Sequence, residues 1–379
     1  MSNVYDSSDE DGVVEWPPKP RGSPASSGLT GFDNPAKAMP RIFAAQRSSF
    51  DPVKAPSLEG LSVEVPDFDA PAEEELSDLF EDLIAERSPR TQRKAGEKLQ
   101  ADDRVVADVI AYVDGQLVPH LTQPRSEFFV APEAISPALV KALLGATVGQ
   151  SLRFQTRLEE DHALEPLRGR DVTYAIHIRE AESIDLPEGE WDAPETLTAL
   201  GLNPDVDVLL EAIAVEALEE REGAVMLDVL DQIYDQLLER TPVHVTEAQI
   251  DSVSGALWMD AQGRFLQQMN IDPKDREAAA KLWLDDPDTR AETRRHLQIT
   301  LLVNAIAEAN NIQVDLNTDV PEYLSTLADT LGFDAEELLA EMKADPKASW
   351  AAAQSLRHLA TLELMMTAAE DTEGEDLPD

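Results

Sequence analysis

The sequence predicts an α+β multidomain protein, with a small antiparallel β domain followed by an extended all-α helical region. Three observations carry this. Between residues 103 and 187, apolar side chains alternate in short runs separated by glycine turns. After Trp191 they recur at three- and four-residue spacing over long stretches. Before residue 58 neither period is sustained.

Taken in order, residues 1–57 are rich in Ser, Pro, Gly and Asp. A run such as EWPPKPRGSPASSG offers too few apolar side chains to fill a core, so a disordered tail is expected. Its two short apolar islands, 13–16 and 42–45, are candidate docking motifs for a dedicated protein partner. In LEGLSVEVPDF, 58–68, the alternation of Leu61, Val63 and Val65 predicts a strand. EEELSDLFEDLIAER then sets Leu76, Leu79, Phe80 and Ile84 on one helical face, behind an acidic first turn that suits the helix dipole. Segment 58–100 is thus a strand and a helix, less than a whole domain.

Segment 101–187 reads as the β domain. RVVADVIAYVDGQLV is a hairpin turning at Asp114-Gly115. A short helix, a turn at Gly149 and a strand through Phe154 follow. The last strand points Val172, Tyr174, Ile176 and Ile178 to one side. A small sheet wrapped on one short helix satisfies these elements. Segment 188–369 is helical throughout: 206–240 exceeds the usual globular length, and 290–309 closes at Asn310-Asn311, residues suited to a left-handed cap. Helices near 317–332, 334–343 and 346–369 complete it, and 370–379 is an acidic tail.

Composition narrows the chemistry. With no cysteine, disulfides and thiol catalysis are excluded. A formal charge of −44 argues against nucleic-acid binding and favours basic or apolar polypeptide partners. No apolar run approaches the ~20 residues of a membrane span, and MSNVYDSSDEDGVVEW lacks the basic and apolar parts of an export signal; a cytoplasmic location and no membrane partner are expected. The six histidines are scattered, and Gly145–Gly149 is not followed by the lysine of a phosphate loop. No metal, cofactor or ATP site is therefore expected.

The order of parts resembles trigger factor, the ribosome-associated chaperone and FKBP-type prolyl isomerase family. HLQITLLVNAIAEANNIQVD looks like the end of a long helix in its C-terminal chaperone domain, and LERTPVHVTEAQIDSV like the turn between its arm helices. VDGQLV, LLGATVGQSLRF, EEDHALEPLRGR and IREAESIDLPE resemble the inserted FKBP-like domain. LEGLSVEVP resembles the end of the N-terminal domain. The likeness covers about 58–369 and implies a helical cradle that holds unfolded or nascent clients without ATP.

Departures from the pattern matter. The family's ribosome-docking loop is cationic, whereas the nearest string here, GFDNPAKAMP at 31–40, has Asp33 in place of the arginine; docking of that kind is not expected. The resemblance puts Ile135, Tyr174 and Phe128 in the isomerase pocket, as a backbone-contacting residue and two aromatic walls. Val109, Leu139 and Asp161 fall where the family has aromatics, and a carboxylate at an apolar lip resists desolvation. The pocket is expected to be degraded and isomerase activity weak or absent. Read without the resemblance, Ile135, Phe128 and Tyr174 are ordinary core residues of the barrel.

A holdase needs exposed apolar side chains. GALWMDAQGRFLQQMN offers Leu257, Trp258, Met259, Phe265, Leu266 and Met269, with adaptable methionines and aromatics, as client-binding candidates; Trp283 and Met365-Met366 are weaker ones. The same stripe at helical spacing also suits a buried core.

Overall fold

In a computed structural model the described residues are 50–66, 69–131, 136–162, 164–315, 317–331, 334, 339–340, 344 and 346–373. Residues 1–49 of the expected tail, including the GFDNPAKAMP string, and the terminal acidic residues 374–379 lie outside them, as does most of the helix expected at 334–343. The chain is an α+β multidomain protein, and its described residues form two compact units: 69–221 with 258–285, and 50–66 with 222–257 and 286–373. These units divide the chain at points other than the composition-based boundaries.

The first unit is built on a six-stranded antiparallel sheet of β1 (Arg90–Gln92), β2 (Arg104–Val113), β3 (Gln116–Leu117), β4 (Gln123–Phe129), β5 (Ser151–Arg157) and β6 (Asp171–Ile184). The long β2 and β6 pair antiparallel from Arg104↔Glu182 to Val113↔Val172, with a bulge at Val106/Ala107. β2 turns into β3 through Asp114 (φ 50°) and Gly115 (φ 79°), the doubly left-handed two-residue loop whose twist matches a hairpin. On one face, α2 (Pro137–Leu143) brings Leu139, Val140 and Leu143 onto Val105, Val109, Tyr174, Ile176 and Ile178. Ser136 caps that helix, its hydroxyl accepting from the Leu139 amide. Beside the sheet, α1 (Glu73–Arg87) contributes Ile84, with Leu76, Leu79 and Phe80, to a cluster with Leu197 of α3 (Pro194–Ala199) and Leu209 and Ile213 of α4 (Val206–Arg240).

The second unit holds the C-terminal part of α4, α5 (Glu247–Trp258) to Leu257, α8 (Pro287–Ala309), α9 (Asp319–Leu331) and α10 (Pro346–Glu373). The short α6 (Arg264–Gln268) and α7 (Pro273–Asp285) belong to the first unit. α8 starts three residues before the periodicity suggests. Asp286 accepts from the Thr289 amide and Pro287 occupies the first turn, where its missing N–H costs nothing. The helix ends as the double asparagine predicts. Asn311 is left-handed (φ 59°), and the Ile312 and Asn311 amides donate back to Ala307 (2.9 Å) and Glu308 (3.2 Å), a Schellman closure. Arg290 joins Glu247 (2.6 Å) and Asp251 (2.8 Å), and Arg294 also reaches Glu247; these guanidinium hydrogen bonds hold the Glu247 carboxyl below its ordinary range.

The strand expected at 58–68 is not formed, and Asp67 and Phe68 lie outside the described residues. Its main chain pairs instead with side chains of α4. Gln236 accepts from the Ser62 amide (3.2 Å) and donates to the Ser62 carbonyl (2.6 Å). Gln232 does the same with Glu64, at 2.8 Å for both bonds. Arg240 donates to the carbonyls of Ser57, Glu59 and Gly60. The alternation at Leu61 and Val63 is real, but its cause is a helix flank rather than a neighbouring strand: Leu61 is fully buried and Val63 half-buried. Among the described residues no helix is long and apolar enough to cross a membrane, and no group of three or more potential metal-ligating residues stands together.

Candidate functional site

Two regions bear on function, the interior of the sheet unit and the helical surfaces. In the sheet unit, the aromatic residues expected to wall a pocket are interior. Tyr174 is 0 % exposed and its ring stacks on Phe154 at 5.4 Å; Phe128 is buried in the same cluster with Val109 and Leu139. The placement follows from β6, whose alternate residues Val172, Tyr174, Ile176 and Ile178 all face α2. Burial drives the Tyr174 hydroxyl's pKa far above the ordinary phenol value, so the group stays protonated. Asp161 is exposed, and Ile135 lies outside the described residues. Tyr174 and Phe128 are thus brought together as packing, with their rings closed to a ligand.

Most of the candidate side chains in 257–269 are enclosed. Leu257, Trp258, Phe265 and Leu266 are buried, Met269 is half-buried, and Met259 alone of the six is open, at 37 %. The physical reason lies in β2. Its even positions carry Ile110 and Tyr112, so the sheet's second face is apolar too and has to be covered. Trp258, Phe265, Leu266, Ala279 and Trp283 cover it, packing with Ile110 and Leu117. Trp283 lies between His120 (5.5 Å, stacked) and Trp258 (5.8 Å, tilted). A π-helical turn at Met259–Gly263 inserts a residue between α5 and α6 and directs Gln262 inward, where its amide donates to the carbonyls of Pro119 (2.6 Å) and Thr122 (2.9 Å). The weaker candidates are closed as well: Trp283 and Met365 are buried, and Met366 is half-buried.

Open apolar side chains stand elsewhere. On the first unit's part of α4, Val208, Ala212 and Val215 share one face at helical spacing, opposite the buried Leu209, Ile213 and Ala217. In the second unit Met226, Leu227 (60 % exposed) and Leu359 are open. These positions escape a reading by periodicity because they break the stripe that predicts the core; an apolar residue on the polar face of an amphipathic helix is the signal that finds them.

A family model described as the C-terminus of bacterial trigger factor protein (TF) matches residues 205–366. Among curated relatives, trigger factor of Pseudoalteromonas atlantica is 24% identical over 276 residues, 72% of this chain and 60% of its own. Trigger factor of Marinobacter nauticus is 22% identical over 329 residues, 86% of this chain and 72% of its own. That of Shouchella clausii is 23% identical over 312 residues, 81% and 70%. The chain therefore spans 60% to 72% of the length of these relatives. A solved structure described as "Promiscuous Substrate Recognition in Folding and Assembly Activities of the Trigger Factor Chaperone" is 17% identical and covers 83% of this chain and 72% of its own, with a TM-score of 0.30, a superposition too loose to carry an argument.

Proposed function

The chain is trigger-factor-like, and from that premise we propose that it is an ATP-independent chaperone, a holdase that covers unfolded or nascent polypeptides. The family match over 205–366 carries this reading, because the exposed Val208, Val215, Met226, Leu227 and Leu359 all stand within that region. In this reading the open Met259 stays a client-binding candidate, and these five take the place of the sealed Leu257, Trp258, Phe265 and Leu266 and the half-buried Met269. Covering ~400 Å² of apolar surface at ~25 cal/mol per Å² gains about 10 kcal/mol gross. Lost mobility offsets most of that, leaving a weak, reversible grip. The charge of −44 keeps open apolar surfaces on separate copies apart and selects basic clients.

The same reading holds isomerase activity weak or absent, supported by the enclosure of Phe128 and Tyr174. It also dispenses with ribosome docking of the family kind, supported by Asp33 in the string that would supply the cationic loop. The test is light scattering from several unrelated, chemically denatured proteins diluted into equimolar chain. Suppression across the set supports the holdase, and no suppression of any of them by a chain of native helicity refutes it. A second reading, an adaptor dedicated to one partner, draws support from the sealing of Leu257, Trp258, Phe265 and Leu266, which reduces the open apolar area. Recovery of a single stoichiometric partner, dependent on residues 1–57, would distinguish it.

A further inference from the structure

We propose that the α4 face formed by Gln232, Gln236 and Arg240 is a binding site for extended polypeptide, occupied in cis by residues 57–64. This deepens the chaperone reading and rests on it for the identity of the natural ligand. Two periods match here. Four helical residues advance about 6 Å, and two extended residues advance about 6.6 Å. Side chains at 232 and 236 therefore meet the extended chain at every second residue, Glu64 and Ser62, while Arg240 grips the carbonyls of the turn that precedes it, at Glu59 and the left-handed Gly60.

Each glutamine amide uses its acceptor and its donor on the N–H and C=O of one residue, as an adjacent strand would. Every residue except proline presents that pair, so the recognition is indifferent to sequence. The side chains of Ser62 and Glu64 point to solvent and take no part in the pairing. Leu61 is sealed and Val63 half-buried, so the ligand class is an extended segment with apolar side chains at alternate positions. Unfolded chains supply such segments in number. Recognition of the β-addition kind is here performed by helix side chains.

The cis segment is tethered, and a tethered ligand competes at an effective concentration of about millimolar. The site should therefore open to a free peptide only when the resident chain is loosened. Ser62→Pro/Glu64→Pro in the full chain removes both resident N–H donors and leaves α4 intact. The probe is a fluorescein-labelled peptide copying residues 55–66, read by fluorescence anisotropy. We expect it to bind the loosened chain at least about tenfold more tightly than the parent. Gln232→Glu/Gln236→Glu added to the loosened chain keeps side-chain size and helix preference but deletes both amide donors, and should return binding to the parental level. The peptide with prolines at the positions of Ser62 and Glu64 should not bind.

Equal binding to parent and loosened chains, or full binding to the glutamate variant, overturns the proposal. Aggregation suppression measured alongside separates it from the chaperone reading. A loosened chain whose suppression is unchanged by the glutamate pair, and which does not bind the peptide, loses the site but remains a chaperone. A chain that binds the peptide through the glutamines but protects no client keeps the site and loses the holdase.

Discussion

Phe265→Ala separates a core role from a client-binding role at the position where the sequence suggests the second and the structure assigns the first. The ring is 7 % exposed and sits among Ile110, Trp258, Leu266 and Trp283 on the second face of the sheet. Removing a ring so enclosed forfeits its transfer free energy and leaves a cavity the rigid sheet cannot collapse, a cost of about 3–5 kcal/mol. For a unit of this size each kcal/mol lowers Tm by about 2–4 °C, so a drop of about 6–20 °C is expected. Trp258 and Trp283 lie in the same cluster and report its unfolding by intrinsic fluorescence. Met259→Ser, at an open position, is the control and should change stability by no more than about 0.5 kcal/mol while weakening client protection. If Phe265→Ala leaves Tm within 1–2 °C (about 0.5 kcal/mol) of the parent and abolishes protection instead, the packing argument fails.

Two further perturbations test the energetics of each unit. Asp103 is 1 % exposed and receives Arg93 through Nε (2.7 Å) and Nη2 (2.6 Å) as well as the Gln100 amide (2.8 Å); Arg93→Ala strands a buried carboxylate and should cost about 3–5 kcal/mol in urea unfolding, with Arg93→Lys intermediate because it restores charge without the fork. In the second unit burial lowers the His358 pKa to about 4 from an ordinary value near 6.5, and its Nδ1 is buried without a hydrogen-bond partner. A base whose folded pKa is depressed contributes stability above its unfolded pKa and loses it as pH falls toward the folded value. Between pH 6.5 and 4 the parent should therefore lose up to about 3 kcal/mol that His358→Gln does not, read as the difference between the two acid unfolding curves.

The elements legible in the sequence are those fixed by local rules. α4 has the predicted bounds, the Asp114-Gly115 hairpin turns where two left-handed residues are needed, and Asn311 closes α8. Tertiary context decided the rest. The alternation at Leu61, Val63 and Val65 carries no information about whether the partner is a strand or a helix, and glutamine amides supplied what a strand would have supplied. The fate of Trp258 and Phe265 was written in β2 rather than in their own segment: a strand with Ile110 and Tyr112 on its second face asks for a cover, and the nearest reading of a one-faced sheet overlooks it. Of the pocket residues, Tyr174 and Phe128 could be placed on the inward face by alternation, but alternation does not distinguish a cleft wall from a packed interior.

On the proposed holdase reading, with the second sheet face covered, clients are held by apolar side chains isolated among carboxylates, and this arrangement predicts a salt response. Val215 on α4 is exposed beside Glu211, Glu216 and Glu219, all of them exposed. Such a surface attracts a client through apolar contact, which salt leaves intact or strengthens, and through charge, which salt removes. At about 0.1 M ionic strength fields reach about 10 Å, and at 1 M about 3 Å. A basic denatured client should therefore lose protection as sodium chloride rises to 1 M, while a near-neutral client keeps it. The comparison is made on both clients with the same chain, so that loss of the chain's own fold affects the two alike. Equal weakening for both clients would assign the grip to charge alone and remove Val208, Val215 and Leu227 from the surface. Equal retention would show that the −44 charge serves solubility and exerts no choice among clients.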